Sequence, residues 1–297
     1  MRSPNRTHDR QSFFKYVSAT TAGKVLSNRA LRWSSPTLFN DPFDVPRELS
    51  FGVTPEQILE AIVQRLTDCI EHPPADTSEL QPQVRLVVET VKSGIPENVK
   101  AELLEAFRET AAAQHPTSAN MDELRARWRA SLLDFRILCL SESPAHMAMW
   151  YHYADGYRGI VLEMRCVDAL DSAWLAAKPV TYSPAKPEVY TASGWASLLT
   201  LRPDIAVRKM VDDATHSKAP DWAYEREWRV LSFKRPADTG PFTDYKFDAR
   251  ELAGVYLGPM IAPEHERQIL ELSARYPEAH VWKASIGMDR ELRFTRA

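Results

Sequence analysis

Residues 54–134 read as one block of helix-period sequence set between segments that read as strands. That arrangement excludes most architectures. A parallel α/β sheet needs strands and helices to alternate along the chain. Strands gathered before and after a helical block pair with one another instead and give an α+β fold. The block opens on Thr54-Pro55 with Gln57 behind it, a capping box with proline in the first helical position. Ile58, Leu59, Ile62, Val63 and Leu66 then recur at helical spacing. Val84, Val87, Val88 and Val91 mark a second helix, Val99, Leu103, Leu104 and Phe107 a third, and Leu124, Trp128 and Leu132 a fourth. Breaks fall at 72–78, 93–96 and 114–120, where proline, glycine and polar residues gather.

Around the block, strand signals appear at FFKYVS (13–18), LRWSS (31–35), FRILCLS (135–141), YRGIVLEM (157–164), WAYEREWRVLSF (222–233), GVYLGP (254–259), HVWKASI (280–286) and ELRFTR (291–296). A weaker one lies at 174–182. Short helices fit 20–31 and, followed by a turn, SPAHMAMWYHYADG (143–156). Residues 193–215 read as helix broken at Pro203, and Pro263 opens a further helix. The expected fold is α+β: a mixed, mostly antiparallel central sheet with packed helices and an inserted helical bundle. Residues 13–297 are expected as a single domain carrying 54–134 as the insertion, with 1–12 a disordered arm.

A net charge of -3 and a pI near 6.3 give no bulk attraction to nucleic acid. Cys69, Cys139 and Cys166 are odd in number and widely spaced, which argues against a disulfide framework and for a reducing cytoplasm. No leader-like apolar region opens the chain, and no apolar run reaches the ~18 residues of a spanning helix, so no membrane association is expected. The 10 glycines form neither G-x-G-x-x-G nor a phosphate loop, and neither H-E-x-x-H nor G-x-S-x-G occurs. His146 and His152 are spaced off one helix face, and no bound metal is predicted.

Three polar clusters can carry chemistry. In SSPTLFNDPFD (34–44), Asn40, Asp41 and Asp44 sit in a proline-stiffened loop. The loop either satisfies its own backbone or presents Asn40 and Asp44 to a ligand, with Phe39 and Phe43 as anchors. In MWYHYADG (149–156), Trp150 and Tyr153 share one side of a short helix. They either pack a core or form a wall for a planar ring, with Tyr153 or His152 offering a hydrogen bond. In WAYEREWRVL (222–231), strand alternation places Glu225, Glu227 and Arg229 on one face and Tyr224, Arg226, Trp228 and Val230 on the other. Carboxylates on an interior strand need a cation, and Arg229 or Lys15 can supply it.

FFKYVS, ALRWSSPTLFNDPFD, ILCLSE, MWYHYADGYRGIVLEM, Lys218 with WAYEREWRVL, and GVYLGPMI occur in this order along the chain. In that order they resemble the bacterial family called domain of unknown function 2971, which implies no activity. More remotely, the pieces resemble the ADP-ribosyltransferase-type fold. That likeness places Lys15 and Tyr16 on the first strand, Tyr153 in the middle segment and Glu227 or Glu225 last. Lys15 stands where that fold usually carries His or Arg, and the E-x-E pair lies inside the expected strand rather than before it.

The likeness implies NAD as substrate, with a glutamate stabilising an oxocarbenium-like state as in glycoside cleavage. An aromatic wall would lie against nicotinamide, and Lys15 or Arg229 would meet the pyrophosphate. Two alternatives stand beside it. One is a non-enzymatic binding module in a defence or toxin context, meeting a protein partner through the 54–134 helices. The other is a Mg²⁺-dependent nuclease using Asp41, Asp44, Glu225 and Glu227.

Overall fold

Ser12–Val17 form strand β1, and its alternation sets up two cores. Phe13 and Val17 face one side of the sheet, Phe14 and Tyr16 the other. Ser18 caps helix α1 (Ala19–Asn28), whose Ala22, Val25 and Leu26 cover the first side. Arg29 turns the chain through a left-handed conformation into β2 (Ala30–Ser34). The computed structural model describes residues 2–47, 52–114, 118–185, 187–289 and 291–297.

The helical block forms α2 (Pro55–Glu71), α3 (Pro82–Lys92), α4 (Glu97–Gln114) and α5 (Ser118–Leu132). Both halves of the Thr54–Gln57 capping box are present. Residues 115–117 of the third expected break, and the side chains of Phe107 and Leu124, lie outside the described residues.

Then follow β3 (Phe135–Ser141), α6 (Met147–Tyr153) and β4 (Ile160–Arg165). The weak strand signal at 174–182 resolves into a 3₁₀ turn, Ala173–Ala176, and two short strands, β5 (Lys178–Pro179) and β6 (Thr181–Tyr182). Pro179 has no N–H to extend a ladder, which keeps these strands short. Pro203 separates α7 (Ala192–Thr200) from α8 (Pro203–Thr215), and β7 (Ser217–Lys218) precedes β8 (Glu227–Phe233).

β9 (Phe242–Lys246) has no counterpart in the sequence reading. Its alternation is polar, and it earns its place by pairing with β2, where Arg32 meets Asp244 at 3.0 Å. β10 (Leu252–Leu257), α9 (Pro263–Ser273), β11 (His280–Ile286) and β12 (Leu292–Arg296) complete the chain.

A 10-stranded sheet runs in the order β12-β11-β10-β4-β1-β3-β2-β9, with β8 beside β3 and β5 beside β8. Its pairings are antiparallel except β10 with β11. β3 pairs along its whole length with β8 but meets β1 only at Phe14–Ser141 and β2 only at Ser34–Ile137. Since β8 fills one edge, β1 and β2 share the other and diverge from it. The first side of the sheet is closed by α1 and α9. On the other side, Met149 and Trp150 of α6 pack on Phe14, Tyr16, Val161 and Tyr256.

The chain divides into two compact units. One comprises residues up to Asp41, Leu132–Tyr182 and Lys218–Ala297, and contains the large sheet. The other comprises Pro42–Ser131 and Ser183–Ser217, so α7 and α8 join the helical block. The amino-terminal residues, expected as a loose arm, are tied down. The Ser3 amide donates to Asp168 at 2.9 Å, Thr7 donates to the Leu175 carbonyl at 2.9 Å, and the His8 ring lies edge-on to Phe13 and Trp228. Among the described residues no helix is long and apolar enough to cross a membrane.

Candidate functional site

The segment expected as one strand from 222 is two elements. Pro220 starts a 3₁₀ turn, Pro220–Glu225, because proline's fixed φ suits a first helical position. Arg226 then adopts a left-handed conformation at φ 43°, and β8 begins at Glu227. The left-handed residue breaks the two-residue alternation. Glu227 and Arg229 therefore share a face of β8, as expected, while Glu225 reaches the same region from the end of the turn.

The two carboxylates meet on a cation that the sequence reading named only within the family motif, not as their partner. Lys218 Nζ lies 2.6 Å from Glu225 Oε2 and 3.2 Å from Glu227 Oε2. Arg229 grips Glu227 with two parallel bonds, Nε to Oε1 and Nη2 to Oε2, each 2.8 Å. All four side chains are buried. The backbone of Glu227 is held as well: its N–H donates to the Tyr182 hydroxyl at 2.8 Å, and its carbonyl accepts from Val180 at 2.9 Å. The Ser141 hydroxyl donates to the Glu225 carbonyl at 3.0 Å.

Burial pushes the Glu227 carboxyl upward, but the adjacent Arg229 guanidinium outweighs it and holds the group well below the usual carboxylate range. Burial, and then the charge of Glu227, raise Glu225. Burial also pushes Tyr182 up to about 12. Cys139 pairs with Arg229 across the β3–β8 ladder, and burial, then the charge of Glu227, raise its thiol.

Tyr153 completes the cluster from the last residue of α6. Its hydroxyl donates to Glu225 Oε1 at 2.5 Å and accepts from Asn40 Nδ2 at 3.4 Å. Burial and this bond to a carboxylate raise the phenol. Tyr153 is held there by the ADGY turn, in which Asp155, Gly156 and Tyr157 all have positive φ and fold the chain back under α6. Gly159 then passes so close that a Cβ there would lie 2.3 Å from the Val17 carbonyl oxygen.

A run of rings borders the carboxylates. His152 lies 5.2 Å from Tyr151 and 6.1 Å from Tyr224, and Trp222 lies 6.2 Å from Tyr224. The Lys218 ammonium sits 4.8 Å from the Trp222 ring, a cation–π contact. Tyr151 and His152 are exposed, and Tyr224 and Trp222 are half-buried.

Of the residues proposed from sequence, Glu225, Glu227, Arg229, Tyr153 and Asn40 converge. Lys15 is engaged elsewhere: its ammonium donates to the Cys139 carbonyl at 2.8 Å. Tyr16 is engaged elsewhere, donating to the Ser143 carbonyl at 2.8 Å and accepting from the His146 amide. Trp150 is a core residue with no exposed surface, its Nε1 donating to the Pro144 carbonyl at 2.7 Å, so it offers no ring face to a ligand. Asp44 belongs to the second unit and is buried. Phe39 packs against Arg229, 5.3 Å from its guanidinium, whereas Phe43 is 89% exposed and does not anchor the loop in a core. Among the described residues no group of three or more His, Cys, Asp or Glu side chains forms a metal-ligand set.

Residues 149–230, which run from α6 through Lys218 to the middle of β8, match the family described as Protein of unknown function (DUF2971). No curated protein and no solved structure matches the chain.

Proposed function

We propose that the first unit binds a nucleotide-type ligand and cleaves or transfers at its N-glycosidic bond, with NAD as the substrate. The observation that carries this reading is the Tyr153–Glu225 pair at 2.5 Å beside the ring run of Tyr151, His152, Tyr224 and Trp222. A carboxylate next to electron-rich rings suits a planar cation joined to a sugar. The rings take the nicotinamide, and the carboxylate stabilises positive charge growing on the ribose carbon as the bond breaks.

The order of the pieces also favours it. Glu225 ends the turn before the strand, which lessens the departure from the remote resemblance, while Glu227 is the strand's first residue. The geometry divides their roles. Both oxygens of Glu227 are held by cations, Arg229 and Lys218, so it keeps those cations in place, whereas Oε1 of Glu225 is held by the neutral Tyr153 hydroxyl. Glu225 shares its proton-accepting edge with Tyr153 and acts toward the ribose. The bond's electron pair leaves with nicotinamide and neutralises the ring. Water or an acceptor hydroxyl attacks the ribose carbon, and its proton passes to Glu225.

The test is calorimetric titration with NAD, together with chromatographic release of nicotinamide. Saturable binding that is lost in Glu225→Gln and weakened in Tyr153→Phe supports the reading. No heat and no nicotinamide at millimolar NAD overturns it.

One observation favours a second reading, a non-catalytic binding module: each oxygen of both carboxylates already has a partner within the chain. In that case a folded Glu225→Gln/Glu227→Gln variant retains its biological activity.

A further inference from the structure

The second unit has a cavity of its own, with a volume of about 380 Å³. It lies where the last turns of α2 face residues 74–80 and Leu201. Its floor is apolar. Cys69, Leu80 and Leu201 are buried there in one cluster with Leu66, Val84 and Val88. Its rim is acidic, with Asp68, Asp76 and Glu79 outnumbering Arg65, the lining residue with a fixed positive charge. Arg65 is itself turned toward Thr200, its Nε donating to the hydroxyl at 2.8 Å.

Arg85 and Lys92 act on Asp76 from outside the lining, Lys92 being shared with Glu89 at 3.5 Å, so the negative excess at the mouth rests on Asp68, Glu79 and the end of α2 as well as on Asp76. Asp76 is fixed in place by the Ser78 N–H at 2.8 Å, which holds its carboxyl below the ordinary range. His72 is the C-cap of α2, so the negative end of that helix dipole points to the same place. These carboxylates are too dispersed to chelate one ion, since no three acidic, His or Cys side chains among the described residues form a metal set. Dispersed negative charge around an apolar trough matches a ligand whose positive charges are spaced along a hydrocarbon chain.

We propose that this cavity binds an aliphatic di- or polyamine. Its methylene chain lies on Cys69, Leu80 and Leu201, and its ammonium groups meet Asp68, Asp76 and Glu79.

Spermidine is the probe, titrated by calorimetry into the full chain, with hydrogen exchange read on peptides spanning 65–81. The expected result is saturable binding that weakens with added salt and slows exchange in that segment. Asp76→Asn/Glu79→Gln changes two exposed side chains, so the fold is retained, and affinity falls about tenfold, or roughly threefold per exposed carboxylate. Absence of heat at millimolar spermidine overturns the proposal. So does affinity unchanged in the double variant, or protection appearing only outside 65–81.

Discussion

Replacing Lys218 by methionine removes the ammonium that touches both Glu225, at 2.6 Å, and Glu227, at 3.2 Å. The two carboxylates do not suffer equally. Glu227 keeps its two bonds from Arg229, whereas Glu225 keeps only the Tyr153 hydroxyl among its side-chain partners here. Breaking a buried pair from one side costs about 3–5 kcal/mol, because a charge is left without compensation.

Protonation sets a ceiling on that cost. With an unfolded carboxyl pKa of about 4.3, keeping Glu225 neutral in the folded chain at about pH 7.5 costs roughly 4.4 kcal/mol. Glu225 is already raised in the native chain, by burial and by Glu227, so the variant moves further in the same direction. A carboxyl raised on folding makes the folded state bind more protons. Its penalty is therefore full above the folded pKa and relieved as the pH falls toward the unfolded value. Lys218→Met should thus lose about 3–4 kcal/mol near pH 7.5 and recover by up to ~1.4 kcal/mol per unit on acidification.

The assay is hydrogen exchange of β8 amides, which reports opening of the first unit without the helical unit contributing. Lys218→Met/Glu225→Gln, with no unpaired charge, should recover about 2 kcal/mol or more. A loss under about 1 kcal/mol that does not vary with pH refutes the reasoning.

Glu227 behaves oppositely, since its carboxyl is held low. Its stabilisation is present above the unfolded value of about 4.3 and is lost as pH falls toward its folded value, so Glu227→Gln should flatten the acid side of the stability profile. Trp150→Ala should cost about 3–5 kcal/mol in urea unfolding, whereas Tyr151→Ala, at a side chain 62% exposed, should cost under about 1 kcal/mol but weaken NAD binding. Gly159→Ala should destabilise by more than about 1 kcal/mol, since its Cβ would press on the Val17 and Ala154 carbonyl oxygens at 2.3 and 2.7 Å. Thr54→Ala should cost about 1 kcal/mol, visible in thermal unfolding of the helical unit.

Local signals in the chain specify most elements. Short apolar runs mark β1, β3 and β10, and the Thr54–Gln57 box fixes where α2 starts. Each depends on residues within a few positions of one another. β9 escapes such reading because FTDYK becomes a strand only beside β2.

The carboxylate site divides in the same way. The sequence placed Glu225, Glu227 and Arg229 on one face of an interior strand and determined that they need partners. The tertiary structure decided which partners they have. Pro220 and the left-handed Arg226 swing Glu225 off the strand, and Lys218, seven residues upstream of Glu225, is the cation delivered between the carboxylates. Tyr153 arrives from α6, 72 positions before its carboxylate, while Trp150 on the same short helix goes into the core. Periodicity reports which residues face alike within one element. Which element then faces which is set by β3 joining β8 to the divergent β1 and β2, a relation between distant segments that no local pattern contains.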